Sequence, residues 1–455
     1  MEARLQARLH HAVGAGRHLG PLRHRGVLRH LRLALAARRG ADPRQLAVHA
    51  LRHHADQPPA HGNARRRREF PDPRTGAAVG LAAHGAQRAR HAGGAGIFLG
   101  AQLTGEPEIL FERRGAAGLV TLNRPKALNA LTLNMVRLLA AKLDEWEHDP
   151  AVTRIVVTGA GGRAFCAGGD IRALYDLGIA GRHADMLPFW REEYILNVRI
   201  KHYPKPCIAL IDGICMGGGV GLSVHGRHRV AGDRYVFAMP EVSIGFFPDV
   251  GATYVLPRLP GELGAYCALT GERLGANDAV AATIATHRVA SGRFGELADA
   301  LAGSNPVDAV LADFAAPPGE APVAAKRPAI DRMFAGDSVE TILAALDREA
   351  SQGGTDADFA KAAAATIRTK SPTSLKIALA QVRAGRQMTF GACMQTEFRI
   401  VSRIIHGHDF YEGVRAVIVD KDGAPRWKPS TLGDVTPADV ARHFAALGPD
   451  DLVLP

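Results

Sequence analysis

The 455-residue sequence has few cysteines and no long apolar run. Its five cysteines are scattered, and no two of them have the C-x-x-C spacing of metal or redox motifs. No uncharged apolar stretch of about eighteen residues occurs, so the sequence predicts no membrane-spanning helix. No secretory signal precedes the cysteines. Reduced thiols are therefore expected, and we predict a cytoplasmic protein.

Lysine is absent from the first hundred residues, which contain 18 arginines, 11 histidines and only five acidic residues. The net charge of +11 comes from this segment, so the remainder has no basic excess that would favour a nucleic acid partner. We predict that residues 1–104 are a disordered leader or an over-extended start of the reading frame. A transit peptide to the mitochondrial matrix is the alternative, although such peptides are Ser-rich and these hundred residues contain no Ser.

Several cofactor motifs are also missing. No G-x-G-x-x-G or Walker sequence accompanies a predicted strand, which excludes dinucleotide binding and nucleotide hydrolysis. The histidines of the second half have no ligand spacing with Cys or carboxylate partners, so no metal site is predicted.

From about Glu108 the sequence alternates between strand-like and helix-like segments. Strands are expected at residues 118–122, 154–158 and 207–211, and helices at 132–147 and around 184–202. This order predicts an α/β fold of repeated ββα units. A Pro- and Ala-rich linker at 316–328 is expected between a catalytic core at 105–315 and a helical C-terminal region at 329–455. The helices of that region are expected at 337–349, 356–368, 374–384 and 390–405.

Two glycine-rich turns carry the strongest chemical signal. They span Ala164 to Asp170 and Met216 to Gly221. Glycine lets a backbone N–H approach a developing negative charge where a side chain would block it. The second turn begins a predicted helix, whose dipole would add favourable potential. Glu241 follows a rigid proline and Asp249 stands eight residues later, so two carboxylates in one apolar loop are candidates for acid/base or nucleophilic work.

These turns, Pro240-Glu241 and the run Asn123 to Leu131 resemble the enoyl-CoA hydratase/isomerase (crotonase) superfamily over about residues 108–435. The resemblance implies a crotonase-like fold and an acyl-CoA substrate. It implies that the backbone N–H groups of Gly169 and Gly218 form an oxyanion hole for the thioester carbonyl. The nucleotide end of CoA is expected near Lys126, which would meet a phosphate. CoA is part of the substrate, and no separate cofactor is implied.

Side chains distinguish among the members of that superfamily. Its hydratases use a second glutamate just after the triple glycine, and here that position is Gly221, so we reject hydratase activity. Other stretches resemble the superfamily's 3-hydroxyisobutyryl-CoA hydrolases, notably 189–194, 217–226, 239–257, 371–376 and 407–429. This resemblance makes Glu193, Gly218, Glu241 and Asp249 the substrate-contacting set. Glu241 would either attack the carbonyl or activate a water, and the sequence leaves both open.

The expected activity is therefore hydrolysis of 3-hydroxyisobutyryl-CoA, in valine breakdown. The expected partner is the small-molecule acyl-CoA, with no nucleic acid and no membrane, and a homo-oligomer is possible. An enoyl-CoA isomerase that works with Glu241 alone is the enzymatic alternative. A non-enzymatic RNA- or acyl-CoA-binding protein, with the basic leader as its contact, is the other.

Overall fold

The computed structural model describes residues 106–317 and 319–455. The predicted leader at 1–104 lies outside the described residues. In the described part no helix is long and apolar enough to cross a membrane.

The strands of this part form two sheets. They are β1 (Ile109–Arg114), β2 (Ala117–Leu122), β3 (Arg154–Gly159), β4 (Ala164–Cys166), β5 (Cys207–Ile211), β6 (Ile214–Met216), β7 (His228–Ala231), β8 (Val236–Ala238), β9 (Leu274–Gly275) and β10 (His287–Arg288). The larger sheet has the order β1-β2-β3-β5-β7-β10, and the smaller has the order β4-β6-β8-β9. Only β1 and β9 run antiparallel to their neighbours among these strands.

Helices follow most strands and are the main regular structure of the C-terminal region. They are α1 (Leu133–His148), α2 (Ile171–Ile179), α3 (His183–His202), α4 (Gly218–Ser223), α5 (Ala252–Val255), α6 (Leu263–Thr270), α7 (Ala276–Ala281), α8 (Phe294–Ala302), α9 (Val307–Phe314), α10 (Pro322–Ala325), α11 (Arg327–Met333), α12 (Val339–Gln352), α13 (Ala357–Arg368), α14 (Pro372–Gly385), α15 (Phe390–Ile404), α16 (His408–Val414) and α17 (Pro437–Phe444). A π-helical turn, Arg415–Val419, continues α16. The predicted α/β class and helical C-terminal region are confirmed.

The predicted strands and the long helices lie within a few residues of their expected positions. Helix α1 begins after Thr132, whose side chain accepts a hydrogen bond from the N–H of Met135 at 3.1 Å, as an N-cap does. Strand β5 has the predicted bounds because a fully buried run of apolar residues stands between two turns. Strand β1 was not predicted, since its second half is charged and its side chains are mostly exposed at the edge of the sheet.

The segment expected to be a linker at 316–328 is partly helical. Helix α10 begins with Pro322, and proline at the first position of a helix starts it rather than breaks it. The buried carboxylate of Asp278 accepts hydrogen bonds from the N–H groups of Val323 and Ala324 at 2.9 and 3.1 Å. Helix α11 then buries Ile330 in the core. Residues 322–325 and 327–328 of the predicted linker are therefore helical, and the division into a core and a C-terminal region stays a prediction.

The smaller sheet determines where a ligand can bind. Strands β4, β6 and β8 are adjacent and parallel, with Cys166 opposite Cys215 and Met216 opposite Ala238. Parallel neighbours place their carboxyl ends at one edge, where α/β proteins commonly bind ligands. The loops that leave these three strands therefore start side by side.

Candidate active site

The loops after β4, β6 and β8 line one cavity of about 480 Å³. The first loop carries Gly169, the second Gly218 and the third Glu241, each two or three residues beyond its strand. Five of the six predicted site residues line this cavity, namely Gly169, Glu193, Gly218, Glu241 and Asp249. The structure thus brings together residues that are up to 80 positions apart in the sequence.

The sixth predicted residue, Lys126, is not part of the cavity lining. Its side chain is exposed on the short 3₁₀ helix Pro125–Ala127, whereas the next two residues, Ala127 and Leu128, do line the cavity. A contact between Lys126 and the nucleotide end of CoA would therefore form outside the cavity, and it stays a prediction.

The N–H of Gly169 is not used by the backbone bridge that fixes its turn. Leu131 pairs with Gly169 in a parallel bridge, in which Leu131 donates to the carbonyl of Gly168 at 2.9 Å and accepts from Asp170 at 2.8 Å. In a parallel bridge the N–H of the central residue points away from its partner strand. The N–H of Gly169 is thus directed away from Leu131.

The N–H of Gly218 is also without a partner in its own element. Gly218 is the first residue of α4, and the first N–H groups of a helix have no acceptor within it. The two turns are in close approach, because a Cβ placed on Gly168 would lie 3.9 Å from the nitrogen of Gly218. Two neighbouring amides with this geometry can stabilise an oxyanion.

Two carboxylates lie against the second glycine turn. A Cβ on Gly217 would lie 3.3 Å from Oε1 of Glu241, and a Cβ on Gly218 would lie 2.6 Å from Oε1 of Glu193. Oε2 of Glu241 and Oε1 of Glu193 are buried and have no hydrogen-bond partner among the described residues. The turn therefore needs glycine for space, and each carboxylate has an oxygen available to a ligand.

Burial controls the protonation of these groups. It raises the pKa of Glu241 well above its ordinary value, and the charge of Asp249 raises it further. Burial and the charge of Asp249 likewise raise the pKa of Glu193. Burial raises the pKa of Asp249 to about 7, against a hydrogen bond at 2.8 Å from the hydroxyl of Tyr194 that lowers it. Asp249 can therefore both take up and release a proton near neutral pH, as acid/base catalysis requires.

Replacing Tyr194 with Phe should move the pH dependence of hydrolysis. In the unmodified protein the hydrogen bond from Tyr194 stabilises the ionised form of Asp249. Without this bond, the pKa of Asp249 rises above about 7. In the pH–rate profile, the midpoint that reports the titration of Asp249 should shift to higher pH by roughly one unit. This midpoint lies on the acidic limb if Asp249 acts as a base and on the basic limb if it acts as an acid. The profile of kcat/KM from pH 5 to pH 9 measures this shift.

The matched control for that experiment is Tyr175→Phe, because Tyr175 contacts the ring of Tyr411 and, among the described residues, makes no hydrogen bond to Asp249. Its profile should coincide with that of the unmodified protein. A midpoint that moves to lower pH in Tyr194→Phe would contradict the assigned hydrogen bond.

The space that a second glutamate would need is filled. A Cβ on Gly221 would lie 2.8 Å from Cβ of Val250 and 2.9 Å from the side-chain nitrogen of Asn197. A carboxylate at residue 221 would thus require both neighbours to move. This packing gives a physical reason for the glycine on which the sequence-based rejection of a hydratase mechanism depended.

Arg124 anchors the loop on the other side of the cavity. Its guanidinium donates to Asp170 at 2.8 Å and forms an ion pair with Glu108 at 3.2 Å. The carboxamide of buried Asn129 donates to the carbonyls of Ala160 and Ala164 at 2.9 Å. These contacts hold the loop against the first glycine turn, and Arg124 is consequently engaged with protein carboxylates.

Several cavity residues were not singled out by the sequence. Trp190 and Phe246 stack at 5.7 Å and line one wall, and Val417 and Ile418 of the π-helical turn line another. These residues lie within stretches that resemble the family, but their side chains look like those of ordinary core residues, so none of them was singled out. Glu397 was also missed, although a glutamate within the apolar stripe of α15 is a detectable anomaly.

Comparison with known proteins places this site in a family. The profile described as enoyl-CoA hydratase/isomerase matches residues 117–444. The chain belongs to the enoyl-CoA hydratase/isomerase family. A crystal structure of a carnitinyl-CoA dehydratase from Mycobacterium thermoresistibile is 42% identical, with a TM-score of 0.72 over 76% of this chain and 99% of the other. An enoyl-CoA hydratase from Rhodobacter sphaeroides 2.4.1 is 40% identical, with a TM-score of 0.70 over 76% and 100%. The predicted crotonase-like fold is confirmed.

Curated members of this family are more specific in name. The 3-hydroxyisobutyryl-CoA hydrolase of Danio rerio is 46% identical over 357 residues, which is 76% of this chain and 92% of the relative. The human protein of the same name is 45% identical over 358 residues, 76% of this chain and 90% of the relative. Both names include the word mitochondrial. The cytoplasmic location expected from the sequence therefore has no support in these names.

Proposed function

We propose that the protein hydrolyses 3-hydroxyisobutyryl-CoA to 3-hydroxyisobutyrate and CoA. The observation that carries this proposal is the meeting of Gly169, Gly218 and Glu241 at the ends of three adjacent strands, with a buried glycine at 221. Curated relatives named 3-hydroxyisobutyryl-CoA hydrolase support the choice of this substrate. The cavity volume of about 480 Å³ is within the usual range for a small-molecule site.

In the proposed reaction, the thioester oxygen accepts hydrogen bonds from the N–H groups of Gly169 and Gly218. The charge that develops on this oxygen is stabilised by about 3 kcal/mol per donor. Glu241 either attacks the carbonyl carbon to give a mixed anhydride, which water then hydrolyses, or removes a proton from an attacking water. The C–S bond breaks in either route, and the sulfur leaves as the thiolate or takes a proton from a neighbouring acid.

Asp249 and Glu193 are proposed to orient the substrate hydroxyl or the water. Their support is that both are buried and line the same cavity as Glu241. With a pKa of about 7, Asp249 can also give a proton to the departing sulfur. This reaction consumes only water and the thioester, so no cofactor is proposed. Among the described residues, no group of acidic, His or Cys side chains could hold a metal ion.

The proposed activity is tested with a panel of acyl-CoA esters scored for release of free thiol. We expect 3-hydroxyisobutyryl-CoA to be cleaved with the highest kcat/KM, and the analogue without the hydroxyl to be cleaved at least about tenfold more slowly, because a buried carboxylate is then left unpaired. An isomerase or a binding protein would release no thiol from any ester. A hydratase would consume an enoyl-CoA without thiol release. Either result would overturn the proposal.

The basic leader is tested with the same assay. A protein that begins at residue 106 should release thiol at the rate of the full chain, since every proposed site residue lies beyond that point. Loss of activity without loss of folding would favour a role for the leader. The absence of a nucleic acid partner and the oligomeric state stay predictions.

A further inference from the structure

The loop that carries Asp249 has an unusual backbone conformation. Val250 has φ of 53° and Gly251 has φ of 90° and ψ of 10°, and the N–H of Ala252 donates to the carbonyl of Asp249 at 2.9 Å. Positive φ at both central residues is the pattern of a type I′ turn, which favours Asn or Gly at the first of them. A β-branched residue with positive φ is strained. We call residues 249–253 the catalytic turn.

Strained residues persist only where their surroundings over-determine them, and they concentrate at active sites. Here the side chain of Val250 gives a reason for the strain, since it lines the cavity and fills the space above Gly221. A residue without a side chain would relieve the strain, but would leave that space open. The catalytic turn therefore needs external contacts to hold it.

Three hydrogen bonds to backbone groups of the turn supply these contacts, and one carboxylate accepts two of them. Oε2 of Glu397 accepts from the N–H of Gly251 at 2.7 Å, and Oε1 accepts from the N–H of Thr253 at 2.8 Å. Nε2 of buried His225 forms the third, with the carbonyl of Val250 at 2.7 Å. Glu397 is fully buried on α15, nearly 150 residues further along the chain.

No function proposed above uses Glu397, and its burial is costly. Burial raises its pKa to about 8, and the negative charge of Asp249 raises it too. Four carboxyls are buried in this region, and no basic side chain of the described residues lowers the pKa of any of them. They are Glu193, Glu241, Asp249 and Glu397. A buried acid without a cationic partner is normally replaced by an apolar residue unless its hydrogen bonds matter.

We propose that Glu397 is a positioning residue that holds the strained catalytic turn, and thereby keeps the carboxylate of Asp249 directed into the cavity. Helix α15 of the C-terminal region thus takes part in catalysis without touching the substrate. The inference rests on the proposed role of Asp249, and it assigns no contact between Glu397 and the reacting atoms.

The inference is tested by measuring how much Glu397→Gln lowers kcat in two forms of the protein, one with Val250 and one with the substitution Val250→Gly. The side-chain amide of glutamine has one oxygen that accepts and one NH₂ group that donates. The NH₂ group would face one of the two backbone N–H groups, so one hydrogen bond is lost. In the Val250 background, Glu397→Gln should lower kcat about 10- to 100-fold with KM changed by less than about threefold, as expected for a misplaced catalytic group. Glycine adopts φ of 53° without strain, so the loss of kcat should be at least about fivefold smaller in the Val250→Gly background.

Two further variants distinguish loss of the two-bond geometry from loss of the carboxyl group, and from a nonspecific effect of substitution on helix α15. Glu397→Asp keeps the carboxyl group but cannot reach both N–H groups, so it should also lower kcat at least about tenfold. Thr396→Ala changes a buried hydroxyl that bonds only to its own helix, to the carbonyl of Ala392, and should leave kcat unchanged. An equal loss from Glu397→Gln in both backgrounds, or full activity of Glu397→Asp, would overturn the inference.

A second readout does not depend on hydrolysis. Amide hydrogen exchange of the peptide that contains Gly251 and Thr253 should be at least about tenfold faster in Glu397→Gln than in the unmodified protein, while peptides of β3 keep their protection. Unchanged exchange at the catalytic turn would contradict the inference. If no acyl-CoA ester is cleaved by the unmodified protein, the proposed function fails, and this exchange measurement still decides whether Glu397 holds the turn.

Discussion

Glu241→Gln is expected to lower kcat for thiol release by about 10³-fold, because it removes the carboxylate that is proposed to attack the carbonyl or activate water. Glutamine has nearly the same shape and cannot ionise. Since burial already raises the pKa of Glu241, a neutral amide removes the cost of burying a charge. The free energy of unfolding at pH 8 should therefore be no lower in the variant than in the unmodified protein.

The stability measurement makes the kinetic result interpretable. A thermal unfolding curve at pH 8 and the rate of thiol release are measured on the same preparation. The control is Glu296→Gln, an exposed glutamate at the start of α8, which should behave as the unmodified protein does. Full activity of Glu241→Gln would remove the central carboxylate from the proposed reaction, whichever of the two routes is followed.

Gly218→Ala is the second large effect that we expect, with a loss of kcat/KM of about 10²-fold or more. The added methyl group would lie 2.6 Å from Oε1 of Glu193 and 3.0 Å from Cδ1 of Leu131, so the carboxylate must move and the approach to the N–H of Gly218 narrows. Loss of one oxyanion donor alone typically costs about 10²- to 10³-fold in kcat. Alanine favours helices more than glycine does, so α4 itself should not be weakened.

Gly295→Ala is the matched control, because it makes the same change in a helix where no atom of the described residues lies within 4 Å of the added Cβ. It should retain full activity and slightly greater stability. If Gly218→Ala released thiol at the unmodified rate, the reaction would not require the open space at residue 218, and the proposed approach of the thioester oxygen to this N–H would be contradicted.

The sequence allowed the chemistry of the site to be predicted better than its geometry. The glycine turns could be found because consecutive glycines after an apolar run indicate a close backbone approach, and Glu241 could be found because a carboxylate in an apolar loop is unusual. Their meeting depends on the pairing of β4, β6 and β8, which are only three residues long each and too short to be recognised by alternation. The resemblance to a family supplied what periodicity could not.

The features that the sequence did not reveal depend on long-range packing. Val250 is an ordinary valine until its φ is known, and Glu397, which accepts hydrogen bonds from Gly251 and Thr253 of the same turn, is nearly 150 residues away. The segment at 316–328 was misread because proline both ends and begins helices, and only the carboxylate of Asp278, some 45 residues earlier, decides between the two. Local patterns carry no information about such distant partners.

The contribution of Val417 and Ile418 to the cavity wall has a consequence for biosynthesis. These residues belong to a π-helical turn fixed by Arg415, which donates to Asp420 and to Asp422 at 2.7 Å each. A nascent chain on the ribosome that has emerged only to residue 400 would contain every proposed reactive group, but its acyl pocket would be open on one side. A product that ends before residue 415 would therefore lack one wall of the cavity, although it contains every group proposed to react.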